Sequence, residues 1–194
     1  YHGIKWGRNL FDHDEDALTG QGGNCPSWHL PPHLNPGTYR GKTVFCVVRD
    51  PRSRLLAEFR WRWHISLAGR RARHGQLGIR QKYPCSAKGL NAFVQEHLAN
   101  FSVDGTLERQ QCHLLPQTEY MHPSNGGTDR LGCTRVLRME RLDEDLAALT
   151  RSELGFDMAL NESANVLGMR GDVCSVGVEN LTAASLDLVA AAYK

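Results

Sequence analysis

Arginine and histidine are the residues here best suited to anion and proton chemistry near neutral pH. Eighteen of the 23 basic residues are arginine, and there are 9 histidines. A guanidinium is a planar fork that matches phosphate, sulfate and carboxylate. From Arg49 to Lys82, ten basic residues stand against Asp50 and Glu58, a local charge of +8. The remainder carries −6, for a net charge of +2. A solvated helix face accounts for such a run, and so does an anion site for a nucleotide, a sulfated glycan or nucleic acid. Trp61 and Trp63 alternate with Arg60 and Arg62, which also suits single-stranded nucleic acid. Alternating tryptophans more often pack into a core, so no nucleic-acid partner is expected.

The sharpest local pattern lies at the start of this basic run. Thr43-Val44-Phe45-Cys46-Val47-Val48 is a short β-branched and apolar run, read as a buried strand, parallel if helices follow. Arg49-Asp50-Pro51 ends it. Asp50 is a good N-cap and Pro51 suits a first helical turn. Leu55, Leu56, Phe59 and Trp63 then recur at helical spacing, which predicts a helix over 51–67. A strand ending in Arg and running into a capped helix is an arrangement that binds phosphate. A structural Arg–Asp pair at a strand end is the plainer reading of the same residues.

The other elements follow from periodicity and punctuation. Residues 1–40, rich in Gly, Pro, His and Asp, read as loops with at most one short helix. Residues 68–84 read as a basic loop. A helix is expected from Ser86 to Ala99, with Leu90, Phe93, Val94, His97 and Leu98 on one face. Residues 102–130 read as mostly irregular. Thr134–Met139 is a second strand candidate, Leu142–Leu149 a short helix, 155–180 loop-rich, and Ala183–Tyr193 a final helix capped by Thr182. Of the six cysteines, none forms a CxxC pair, which disfavours a zinc ribbon. Cys46 is expected to be buried. Cys112 and Cys133 flank the irregular stretch and are the preferred disulfide. Three N-glycosylation sequons begin at Asn100, Asn161 and Asn180, where nine asparagines would give about one by chance.

Val44 to Leu55 closely resembles the 3′-phosphate-binding motif of Golgi-type carbohydrate sulfotransferases, an apolar strand followed by R-D/E-P-x-x-R-x-x-S. Four further elements resemble that family in order. Cys112–Gln117 is similar to its H-x-x-P-Q element, and Val136–Asp145 to its strand followed by E-x-L-x-x-D. Leu160–Ser163 is similar to L-N-x-S, and Leu181–Lys194 to its last helix. The resemblance covers about 150 residues. It implies an α/β, three-layer, P-loop-like fold with a central, mostly parallel sheet, of which residues 1–194 form a single domain lacking its N-terminal part. The implied activity is transfer of a sulfuryl group from 3′-phosphoadenosine 5′-phosphosulfate (PAPS) to a carbohydrate hydroxyl, without a metal. A degenerate module that binds nucleotide or anionic glycan without turnover is the alternative.

In this resemblance Arg49, with Ser53 and Arg54, binds PAPS. The sequence departs from the family at two points. Ala57 stands where the family has Ser, and Ser53, one turn earlier, is the candidate replacement. No 5′-phosphosulfate loop matches between Tyr1 and Lys42: if the chain is a fragment the loop lies upstream of Tyr1, and if it is complete the sequence argues against sulfuryl transfer. Sulfuryl transfer to a hydroxyl needs a base, usually histidine near neutral pH. His29, in a segment resembling H-x-P, is the first candidate. His2, in Tyr1-His2-Gly3, is the second; a packed or solvent-facing loop residue is the plainer reading of either. His113 and Gln117 are expected at the acceptor site or as core braces. Arg60 and Arg62 suit an acidic glycan acceptor or a solvated face. Glu140 is expected in an ion pair bracing the fold.

Length and composition frame these expectations. A chain of 194 residues with 41% hydrophobic and 23% charged residues can support a packed core. The longest apolar runs, Val44–Val48 and Leu188–Tyr193, fall far short of the roughly 20 residues of a membrane helix. The segment reads as cut at both ends. The resemblance implies the Golgi lumen, with a membrane anchor outside this chain.

Overall fold

The structure is a computed structural model that describes residue 25 and residues 29–34, 36–39, 41–67, 79–108, 112–121, 132–158 and 174–193. Along the chain run α1 (Pro36–Tyr39), β1 (Phe45–Val48), α2 (Pro51–Leu67), α3 (Ile79–Lys82), α4 (Ala87–Leu98), α5 (Val103–Glu108) and α6 (Thr118–Met121). They are followed by β2 (Arg135–Arg138), α7 (Leu142–Leu154) and α8 (Ala183–Ala192). The described chain is mixed α/β and mostly helical, with one small parallel sheet. It divides into two compact units, Tyr1–Val48 with Ser102–Asp145, and Arg49–Phe101 with Leu146–Lys194.

The first unit holds the sheet. β1 and β2 pair in parallel, with Phe45 opposite Arg135 and Val48 opposite Arg138. The backbone N–H of Thr134 donates to Val44 O at 2.8 Å and extends the pairing by one step. The expected burial is not found. β1 is only half-buried along its length, and in β2 only Leu137 is buried, while Val136 is 45% exposed. Four residues per strand and two strands give too little surface to cover both faces, as a parallel sheet ordinarily requires. The core of this unit is Cys25, Leu30, Cys112 and Leu115, with Leu34, Val103 and Tyr120 against them.

The expected Cys112–Cys133 disulfide is replaced by two others. Cys25 pairs with Cys112 and Cys46 with Cys133, at Cα separations of 6.0 and 5.6 Å. Strand pairing is the reason. It brings Cys46, on β1, beside the residues that enter β2, and leaves Cys112 in the Leu30–Leu115 core. Past β2 the chain turns through Met139–Arg141 into α7. There Asp145 accepts from the backbone N–H of Arg138 at 2.8 Å and from its Nε at 3.0 Å. Arg138 holds the Asp145 carboxyl well below the usual range. The E-x-L-x-x-D element therefore braces a strand to a helix through Asp145. α7 runs past the expected Leu149 to Leu154, where Gly155 takes a left-handed φ of 76° and stops it.

The second unit is a helical core. Phe59 and Leu55 of α2, Leu90, Phe93 and Val94 of α4, and Val189 of α8 are buried together with Tyr83. Phe93 meets Phe59 edge-on, with ring centroids 5.4 Å apart, and Tyr83 at 5.6 Å. α4 starts where its cap dictates: Ser86 Oγ accepts from Gly89 N–H at 3.1 Å. A Cβ on Gly89 would stand 1.9 Å from the Pro84 carbonyl oxygen, so only glycine fits there. Asn91 ties α4 to the entry of α8. Its Nδ2 donates to Asn180 O at 2.8 Å and its Oδ1 accepts from Thr182 N–H at 2.9 Å. The Cys85–Cys174 disulfide closes this unit, with a Cα separation of 5.4 Å.

Candidate functional site

The expected phosphate-binding residues lie in the second unit, at and after the N-terminus of α2. Asp50 caps the helix, its Oδ1 accepting from Ser53 N–H at 3.0 Å. Arg52 Nη2 donates to the same carboxylate at 2.9 Å, and this bond is the main reason the Asp50 carboxyl titrates below its ordinary range. The backbone N–H of Arg54 donates to Asp50 O at 2.9 Å. Pro51 has no N–H. Of the first four helical N–H groups, that of Arg52 is left for an external anion, and the Asp50 carboxylate stands beside it. The Ser53 hydroxyl also bonds to the Asp50 carboxylate, so an anion here would depend on the Arg49 guanidinium more than on the helix end. Arg49 and Ser53 are both half-buried.

Farther along α2 the arginines turn into their own unit. The Arg54 guanidinium lies 5.7 Å from the Tyr193 ring centroid. Arg60 donates through Nε and Nη2 to Val176 O, at 3.0 and 2.5 Å. Arg62 pairs with Glu58 at 2.5 Å and lies over Phe93 at 5.7 Å. Arg60 and Arg62 therefore contribute to packing and to carbonyl satisfaction. Arg80 stacks on Trp63 at 3.6 Å in the same way. Lys82, which ends the basic run, pairs with Glu96, and Arg70, Arg71 and Arg73 lie outside the described residues.

The expected proton-transfer residues lie in the first unit. His29 Nε2 and His113 Nε2 are 3.1 Å apart, with ring centroids at 4.2 Å. The Tyr120 hydroxyl donates to His29 O at 2.6 Å, fixing the backbone that carries the first ring. His113 sits in the 3₁₀ turn Cys112–Leu114, anchored by the Cys25–Cys112 disulfide. Gln117 accepts at its carbonyl from Tyr120 N–H at 3.1 Å and so opens α6. At this Nε2 separation one ring donates and the other accepts, so the contact holds a single proton. Through that hydrogen bond the two rings can share an added proton.

Two further titratable residues of this unit carry no motif in the sequence. Glu119 is buried, 5% exposed, and His33 lies against it. Desolvation pushes the His33 imidazole below its ordinary pKa, and Glu119 opposes that shift. His33 Nδ1 is buried with no hydrogen-bond partner among the described residues. The spacing of His29 and His33 by four residues was the only signal in the sequence. His2 and the Leu160–Ser163 element lie outside the described residues. Comparison with protein-family models, with curated proteins and with solved structures found no match.

Proposed function

We propose that the chain is a sulfotransferase that moves a sulfuryl group from PAPS to a carbohydrate hydroxyl. In this reading β1 and β2 belong to the central sheet of a three-layer, P-loop-like fold, and the protein works in the Golgi lumen. One observation supports it above the others. His29 and His113 come from two separate motif segments, 84 residues apart, and meet at 3.1 Å. In the reaction the acceptor oxygen bonds to sulfur while the bond from sulfur to the 5′-phosphate oxygen breaks. Adenosine 3′,5′-bisphosphate leaves with the electron pair. The acceptor proton passes to the His29–His113 pair, and the two rings share the resulting charge. Arg49 and Ser53 hold the 3′-phosphate, Arg54 stands beside them, and Gln117 lines the acceptor side.

Label transfer from PAPS to a panel of neutral and acidic glycans, using the full-length gene product, tests this reading. Labelled glycan is expected, with the rate lowered about 100-fold or more in His29→Ala. A second reading is a module that binds nucleotide or anionic glycan without turnover. Ala57 and the occupied N–H groups at the start of α2 favour it. Bisphosphate binding without any label transfer would select that reading.

A further inference from the structure

We infer that Asn100 is a site of N-linked glycosylation. Two independent features point to it. All six cysteines are paired, in Cys25–Cys112, Cys46–Cys133 and Cys85–Cys174. Such pairing forms and persists in oxidising compartments, where the glycosylation machinery of the secretory route also works. Asn100-Phe101-Ser102 is a complete acceptor sequon, and its placement suits a bulky polar substituent. Asn100 is exposed, in the turn that follows α4, and Ser102 is exposed as well. Phe101 N–H donates to Leu98 O at 3.3 Å, which fixes the turn by its backbone. The Asn100 amide makes no hydrogen bond among the described residues, so a glycan there displaces no contact.

The Asn180 sequon differs at its asparagine, whereas both sequon hydroxyls cap a helix, Ser102 Oγ accepting from Gly105 N–H at 3.1 Å. Asn180 is half-buried, its Oδ1 accepts from Gly177 N–H at 2.8 Å, and its carbonyl accepts from Asn91. The hydroxyl of its Thr182 donates to Asn91 Oδ1 at 3.1 Å and caps α8. A glycan on Asn180 would crowd the junction that holds α4 to α8. Asn161 lies outside the described residues.

The modification is a group transfer from an oligosaccharide carried on a lipid diphosphate. Nδ2 of Asn100 bonds to the anomeric carbon, and the bond from that carbon to the diphosphate oxygen breaks. The lipid diphosphate leaves with the electron pair, and Nδ2 gives up one proton. The test is secretion of the full chain from a eukaryotic cell, followed by peptide N-glycosidase digestion in heavy-oxygen water and peptide mass spectrometry. The expected result is conversion of position 100 to Asp carrying one heavy oxygen, with gel mobility rising on digestion. Asn100→Gln is expected to reduce that mobility change by one glycan and still be secreted, and Asn180→Gln to leave it unchanged. Secreted wild-type protein in which Asn100 is recovered unmodified would overturn the assignment, whatever happens at the other sequons.

Discussion

Burial sets the behaviour of two tyrosines, and the effect can be followed by pH. Tyr83 packs against Phe93, and burial, aided by Glu96, pushes its phenol up to about 12. Burial does the same to Tyr193, also to about 12, with Arg54 opposing it. Each folded-state value lies above the ordinary 10.0, so the folded chain holds the phenolic proton more tightly. That contribution is complete below pH of about 10 and is lost as pH rises through about 12. Stability should therefore fall between those limits, and Tyr193→Phe should flatten the fall in denaturant titrations at stepped pH. An unchanged slope in that variant would show that Tyr193 is not buried as described. At this scale the sequence was informative about residue type and poor about partners. Asp50 was legible as a cap because capping needs only local spacing. The internal roles of Arg60 and Arg62 were not, because Val176 lies far along the chain and carbonyl acceptors leave no mark in a sequence.

Among the elements, those with long periodic apolar faces were readable. α2 begins at Pro51 and ends at Leu67, as expected from Leu55, Leu56, Phe59 and Trp63. α4 and α8 follow the caps at Ser86 and Thr182. α5 and α6, within a stretch read as irregular, are six and four residues long. Helices that short complete too few turns to show a periodicity. The strands were legible as β-branched runs, whereas their exposure was not, since strand burial depends on the neighbours that cover it. Asn91 is the contact between elements that the sequence did not reveal. Removing its amide leaves Thr182 N–H and Asn180 O without their partner. Asn91→Ala should therefore destabilise the chain by about 1–3 kcal/mol in chemical denaturation. A change within error would mean that α8 is held to α4 by apolar packing alone.

Over the whole molecule, the disulfides close long spans, at sequence separations of 87, 87 and 89. None of the three pairings was legible, because each follows from tertiary contacts: β1 on β2, the Leu30–Leu115 core, and the packing around α4. In the chain-entropy view a loop of that size stabilises by about 4–5 kcal/mol. Cys85→Ser with Cys174→Ser should cost about that much in denaturant unfolding. A loss well under 1 kcal/mol would place the stability of the second unit in its apolar core instead.

The central claim is that Arg49 marks a 3′-phosphate site, and charge alone does not establish it. A basic run of +8 would bind many polyanions, with affinity falling steeply as salt rises. A built site discriminates by the position of one phosphate. The most direct measurement is calorimetric titration of adenosine 3′,5′-bisphosphate against 5′-AMP, on the wild-type chain and on Arg49→Ala. The prediction is a preference for the bisphosphate of at least about tenfold, equivalent to about 1.4 kcal/mol, that disappears in the variant. Equal affinity for the two nucleotides, or a preference untouched by Arg49→Ala in a folded sample, would contradict it.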